Sequence, residues 1–227
     1  MNRRPARLLA LAAVFTALTA GSATVIARAD DDRCHGTSYT LEGHNYKVEV
    51  PQLSGCTTQS RQEFNDSLRL AADDFIARVD NTTSVHTYNA NSMYIGAHIV
   101  SAKLAVEIYL EGAPHPSTDF ITHNTVIASG KPLTLPDLFT NLPEGLALLS
   151  QQSKLLLDQT PRATGYTPSA ITPTPENFRH WTATKPGLRL HFGEIASHAA
   201  GNIEITIPWQ TLKPALEPNI HTILSAP

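Results

Sequence analysis

Leu104-Ala105-Val106-Glu107-Ile108-Tyr109-Leu110 places Leu104, Val106, Ile108 and Leu110 on one parity and Ala105, Glu107 and Tyr109 on the other. A period of two is the side-chain period of a half-buried strand, so residues 102–110 read as one. Upstream, Phe64, Leu68, Ala71, Phe75 and Val79 recur at helical spacing from Ser60 to Val79, and Ser60 with Glu63 has the form of a capping box. A helix with one apolar face needs a flat partner. The next stretch supplies it, with strand candidates at Tyr88 to Val100, at 102–110 and at Phe120 to Ala128; ahead of the helix, Tyr39 to Val50 reads as a strand pair or an irregular strand, ended by Pro51.

Beyond the turn Ser129-Gly130-Lys131-Pro132, a second helix is expected from Leu142 to about Gln159, capped by Asn141. A connection rich in Pro, Thr and Gly follows from Arg162 to Pro175. Further strands are expected at Phe178 to Thr184, Leu188 to Phe192 and Ile203 to Ile207, then a helical turn from Thr211 to Leu216. Strands grouped on either side of a helical segment, rather than alternating with helices, predict an α+β fold with a mostly antiparallel sheet and packed helices.

The start of the chain reads as an export signal. Arg3, Arg4 and Arg7 precede the apolar run Leu8 to Ala20, and Ala27-Arg28-Ala29 supplies small residues for cleavage ahead of Asp30-Asp31-Asp32. The run is shorter than the about 20 apolar residues that a membrane span takes. Residues 1–29 are therefore expected to leave, with residues 30–227 forming one secreted domain and no membrane span. Cys34 follows acidic residues rather than a small-apolar box, so no lipid anchor is expected. In an exported chain, Cys34 and Cys56 read as one disulfide.

Arg3, Arg4, Arg7 and Arg28 leave with the signal, so 17 basic and 20 acidic residues become 13 and 20, a net charge of about −7 with histidines neutral. An acidic chain with no basic stripe lacks the means to neutralise phosphates, which excludes nucleic acid as a partner. CxxC and HExxH spacings are absent, and neither a metal nor a cofactor is expected. GxSxG is absent too, which argues against the usual hydrolase nucleophile elbow.

Among the 10 histidines, His115 stands apart because Pro114 and Pro116 flank it in Gly112-Ala113-Pro114-His115-Pro116-Ser117-Thr118. Proline fixes its own φ and restricts the residue before it, so His115 is held extended in a stiff strand-joining loop. Ser117, Asp119 and His123 follow, giving a nucleophile, an orienting carboxylate and a second base, with Asp137 a further carboxylate candidate. The loop supports two readings. One is a binding surface of His115, Pro116, Ser117 and Thr118; the other is a carboxylesterase site with Ser117 as nucleophile, His115 or His123 as base and Asp119 orienting it. His191 alternates with Leu190 and Phe192 and is read as solvent-facing.

The same loop, with Lys131-Pro132-Leu133-Thr134-Leu135, Asp137-Leu138-Phe139, Asn177-Phe178, Gly187-Leu188, Phe192, Ala199-Ala200-Gly201 and Ile207-Pro208, resembles the mycobacterial secreted immunogenic-antigen family. That family shares a domain with the extracellular part of the anti-sigma factor RsiV. The resemblance runs from about Cys34 to Leu212. It implies a β-grasp-like fold, export to the envelope or medium, and antigenicity. For function it implies either capture of a protein or envelope ligand, lysozyme being the ligand of the RsiV domain, or hydrolysis of short-chain esters.

The exported protein is expected to begin at Asp30. Mass spectrometry of the amino-terminal peptide checks this, with intact Met1 or a lipid-modified Cys34 as the contradicting results.

Overall fold

A computed structural model describes residues 33–88 and 92–225. The expected leader, residues 1–29, lies outside the described residues. Strands β1 (His35–Gly43) and β2 (Tyr46–Ser54) form a hairpin that leads into helix α1 (Thr58–Ile76). Then come β3 (Thr83–Thr87), β4 (Ser92–Ile95), β5 (Ile99–Leu110), β6 (Ser117–Val126) and the short β7 (Lys131–Pro132). The second half holds α2 (Leu135–Leu138), α3 (Leu142–Asp158), α4 (Pro175–Phe178), β8 (Trp181–Ala183), β9 (Gly187–Phe192), β10 (Ile203–Pro208), α5 (Trp209–Leu212) and α6 (Pro218–Ser225).

The first seven strands make one sheet in the order β1-β2-β3-β5-β6-β7, with β4 also on β5. Every pairing in it is antiparallel except β2 with β3. Helix α1 lies across one face, where Phe64, Leu68, Ala72 and Phe75 meet Val48, Val50, Val100, Leu104 and Val106. This is the α+β arrangement, a mostly antiparallel sheet with packed helices, that the grouping of strands predicts. Cys34 and Cys56 are joined and clip the start of β1 to the turn that enters α1.

Three local expectations shift. Helix α1 starts at Thr58 and is capped by Thr57, whose hydroxyl accepts from the Ser60 amide at 3.2 Å. Glu63 does not close a capping box there, because its carboxylate is taken by His123 and Thr125 of β6. Pro51 does not end β2, which continues to Ser54. The Glu49 amide points away from β1 to the Thr87 hydroxyl, and Pro51 has the same parity. Its missing N–H therefore costs β1–β2 no bond. The 88–100 candidate resolves into β4 and the start of β5.

The later strands do not extend this sheet. They form a second one, β10-β9-β8, antiparallel throughout. Its apolar partners come from α3 and the segments around it: Leu146, Leu149 and Leu157 belong to one buried cluster with Trp181, Leu188, Leu190, Ile205 and Ile207. The 162–175 connection is ordered by two single turns whose Ala163 and Ile171 join the same cluster. The terminal helical turn falls at Trp209 rather than Thr211.

The two sheets meet along a polar seam. Strand β8 pairs with β9 on one edge only, and its other edge rests on β5 and β6. The Thr122 hydroxyl accepts from the Trp181 amide at 3.1 Å, the Asn124 side chain donates to the Trp181 carbonyl at 3.1 Å, and the Ser101 hydroxyl accepts from the Ala183 amide at 3.1 Å. The seam covers the second face of β5, so Ser101 and Ala105 are as buried as Leu104. The expectation of a half-buried strand therefore fails along β5: both faces are covered up to Val106, and both open towards Tyr109 and Leu110.

Ser101→Ala leaves the Ala183 amide buried without its acceptor, and is expected to cost about 1–3 kcal/mol with the secondary structure retained. Urea denaturation followed by circular dichroism measures it.

Candidate functional site

The β5–β6 loop turns at Gly112, whose φ of +84° is left-handed backbone that suits glycine. His115 is exposed at its tip, with Nδ1 3.0 Å from the Pro116 carbonyl. Its ring stacks on that of His198, with centroids 3.9 Å apart. His198 belongs to the turn His198–Ala200 between β9 and β10 and hydrogen-bonds Glu194 at 2.7 Å. A loop of the large sheet therefore touches a turn of the small one. Beneath the contact lies a cleft of ≈ 320 Å³ lined by Pro116 and Thr118 together with Tyr88, Glu107, Glu194 and His198. Arg162 also borders it and donates to the Ala200 carbonyl.

The polar atoms of the proposed catalytic group go to different partners. The Ser117 hydroxyl donates weakly, at 3.4 Å, to the Ile108 carbonyl. Asp119 pairs with Arg78 at 2.6 Å and accepts from the Phe120 amide. His123 bonds Glu63 at 2.9 Å across the sheet from α1. Asp137 accepts from the Thr134 amide at the start of α2. Among the described residues, no hydrogen bond links Ser117 to a histidine. Pro116 and Thr118 line one cleft and His115 stacks on His198 above it; Asp119 and His123 face other partners.

A group that the sequence reading missed lies inside the seam. His191 is 4% exposed rather than solvent-facing, because the face of β9 opposite α3 is covered by the large sheet. Its Nδ1 is 2.9 Å from Glu204 Oε1 on β10, its Nε2 is 2.9 Å from the Thr182 hydroxyl on β8, and Lys103 of β5 contacts the same Glu204 oxygen. Hydrogen bonding from His191, reinforced by Lys103, holds the Glu204 carboxyl down to about 2. Burial depresses His191 in turn, against the pull of Glu204. An ionised Glu204 can only accept, so Nδ1 carries the proton and the neutral ring takes the Thr182 O–H on Nε2. Lys103 and Glu204 fall on the polar parity of their strands, as a solvent-facing residue would, so local spacing carries no signal of this group.

Nearby, burial and the neighbouring Arg179 lower His180 to about 4. Its Nε2 accepts from Arg179 Nε at 2.8 Å, and the edge of Phe120 packs on its ring with centroids 5.0 Å apart. No three His, Cys, Asp or Glu side chains among the described residues are grouped to hold a metal ion. No helix among them is long and apolar enough to cross a membrane.

Comparison with known proteins defines a class by fold. Residues 136–210, from α2 to the start of α5, match the model of DUF3298, described as a protein of unknown function. Across most of the chain, the fold is similar to that of a DUF3298 family member from Bacteroides fragilis, with a TM-score of 0.59, 17% identity, and coverage of 86% of this chain and 99% of that one. A DUF3298 family protein from Pseudomonas aeruginosa is similar at a TM-score of 0.54 and 15% identity, covering 84% of this chain and 97% of that one. No curated protein matches. The matched residues carry His191, Glu204, Glu194 and His198, whereas the His115 loop lies outside them.

His180, and in the same direction His191, resists protonation when folded but takes up a proton near 6.5 when unfolded. The unfolded chain then binds more protons, so stability is full above about pH 7 and falls as pH drops from 6.5 towards 4. Thermal denaturation across that range is expected to show the slope, and His180→Asn to flatten part of it.

Proposed function

We propose that this chain is an exported binding module that takes a protein or cell-envelope ligand at the cleft between the His115 loop and the His198 turn. The observation that carries the reading is the stacking of His115 on His198, which ties a proline-flanked loop of one sheet to a turn of the other above the cleft. A preformed, stiff surface loses little conformational entropy on binding. Glu107 and Glu194 outnumber the one guanidinium in the lining, that of Arg162, in keeping with the charge of the chain, and favour a partner that brings a basic side chain. Export, and release to the medium or cell wall, rest on the leader-like residues 1–29. The resemblance to the mycobacterial secreted antigens and the extracellular domain of RsiV supports the same reading and makes a lysozyme-like protein the first partner to test.

Ester hydrolysis, the alternative, has less support. A serine nucleophile needs a base in hydrogen-bond reach, and the Ser117 hydroxyl is directed at a main-chain carbonyl.

Capture of the disulfide-intact protein on immobilised lysozyme, with short-chain nitrophenyl esters assayed in parallel, separates the two. His115→Ala and Pro116→Gly are expected to weaken capture by loosening the loop, while Ser117→Ala costs about 1 kcal/mol or less. Robust ester turnover abolished by Ser117→Ala would replace the binding reading with the enzymatic one.

A further inference from the structure

Strand β6 has an open edge. Strand β7 pairs only with Thr125 and Val126, so residues 118–123 have, among the described residues, a neighbouring strand, β5, on one side alone. The register identifies which main-chain groups face outwards. The Asn124 carbonyl accepts from the Leu133 amide, away from β5. Ala105, opposite Phe120, sends its carbonyl to Tyr88 on its far side. The N–H and C=O of one residue share a side, and the sides alternate along a strand. The outward groups therefore belong to Thr118, Phe120, Thr122 and Asn124. Asp119 occupies the Phe120 N–H at 2.9 Å. The Phe120 carbonyl and both Thr122 groups have no hydrogen-bond partner among the described residues, whereas the outer side of Asn124 is taken by Leu133.

That edge is the floor of a trough. On one side stand Ala71, Asp74 and Phe75 of α1 and, just past its end, Arg78; on the other is the segment leading into β8, with Arg179 and His180. The trough comprises adjoining clefts of ≈ 210 and ≈ 250 Å³, and Arg179 borders both. Arg78 is paired with Asp119, but Arg179 spends only its Nε on His180, leaving its two terminal nitrogens to meet a ligand. The cleft beyond it is lined otherwise by His123 and by uncharged Thr, Asn, Leu, Pro and Trp residues. Asn124, 5% exposed and part of that lining, has an Oδ1 with no partner.

We propose that the open edge of β6 is a docking site for an extended peptide segment of a partner protein, which adds to the sheet as a strand and sets an acidic side chain on Arg179. An alternating row of N–H and C=O groups at strand spacing is answered by another extended main chain, and flanking clefts then select its side chains. Residues 119–123, short of the Leu133 contact at Asn124, span roughly 13–17 Å at strand rise, enough for four or five residues of such a peptide. This surface is separate from the His115 cleft.

The probe is acetyl-Thr-Val-Glu-Val-Thr-amide, titrated into isotope-labelled, disulfide-intact protein, with two analogues N-methylated on one or the other alternating set of amides. The Thr122 amide proton is expected to exchange about tenfold more slowly at saturation, as a new main-chain bond protects it. One methylated analogue should bind like the parent and the other not at all, because only one set of amides faces β6. Arg179→Glu should weaken binding by about tenfold, and a Glu-to-Lys peptide should recover it on that variant; Arg179→Gln serves if the reversal does not fold. His115→Ala should leave the titration unchanged, so failure of the His115 cleft reading does not decide this one. Unsaturated shifts at millimolar peptide, equal loss with both analogues, or no effect of either Arg179 variant would overturn the proposal. Protection of the Thr122 amide in a concentration-dependent dimer without peptide would overturn it in favour of a second copy of the chain.

Discussion

Everything in the second half of the molecule depends on how one short strand finds partners for its outer edge. Strand β8 has three residues, and a buried strand edge is tolerated only if its amides and carbonyls are bonded. No strand lies beside it there. Ser101, Thr122 and Asn124 stand up from the face of the large sheet and take up the Trp181 and Ala183 main chain instead. Side-chain bonds of this kind have direction, whereas an apolar contact alone would let the small sheet slide. The seam therefore fixes how the α1 core and the α3 core lie relative to each other.

Charge at the same junction is kept by the same logic. Lys103, Glu204 and His191 come from three strands, and each is satisfied by the others or by Thr182. Burying ions costs several kcal/mol apiece, and mutual attraction offsets this only in good geometry. Removing one member would leave the rest uncompensated, so the group reports on whether the two sheets are correctly docked. Hydrophobic clusters above and below it supply the stabilisation, and the polar layer supplies the register.

Docking the sheets also shapes the surface. It brings the His198 turn under the His115 loop, and it brings Arg179 and His180 beside β6, opposite α1. Neither cleft belongs to one sheet alone. The stretch that matches the DUF3298 model contributes one wall of each, and the preceding residues contribute the other.

Period-two and helical spacing made the strands β5, β6, β9 and β10 and the helices α1 and α3 legible, because each depends on neighbours within a few residues. Asn141 was legible as the cap of α3 for the same reason: its side chain accepts from the Glu144 amide three residues on. The proline-flanked loop could be recognised as stiff from its composition. The sequence by itself thus determined the longer strands and the two long helices, though not β3 or α6, the antiparallel α+β class, and the proline pair that flanks His115. Only the tertiary structure decided that there are two sheets, that the far face of β5 is covered, that His191 is buried and Glu63 serves β6 rather than its own helix, and that His115 meets His198 instead of Ser117. Those outcomes depend on residues far apart in the chain and on unpaired main-chain groups at strand edges. Local periodicity records which face of an element is apolar, but not what will lie against its other face.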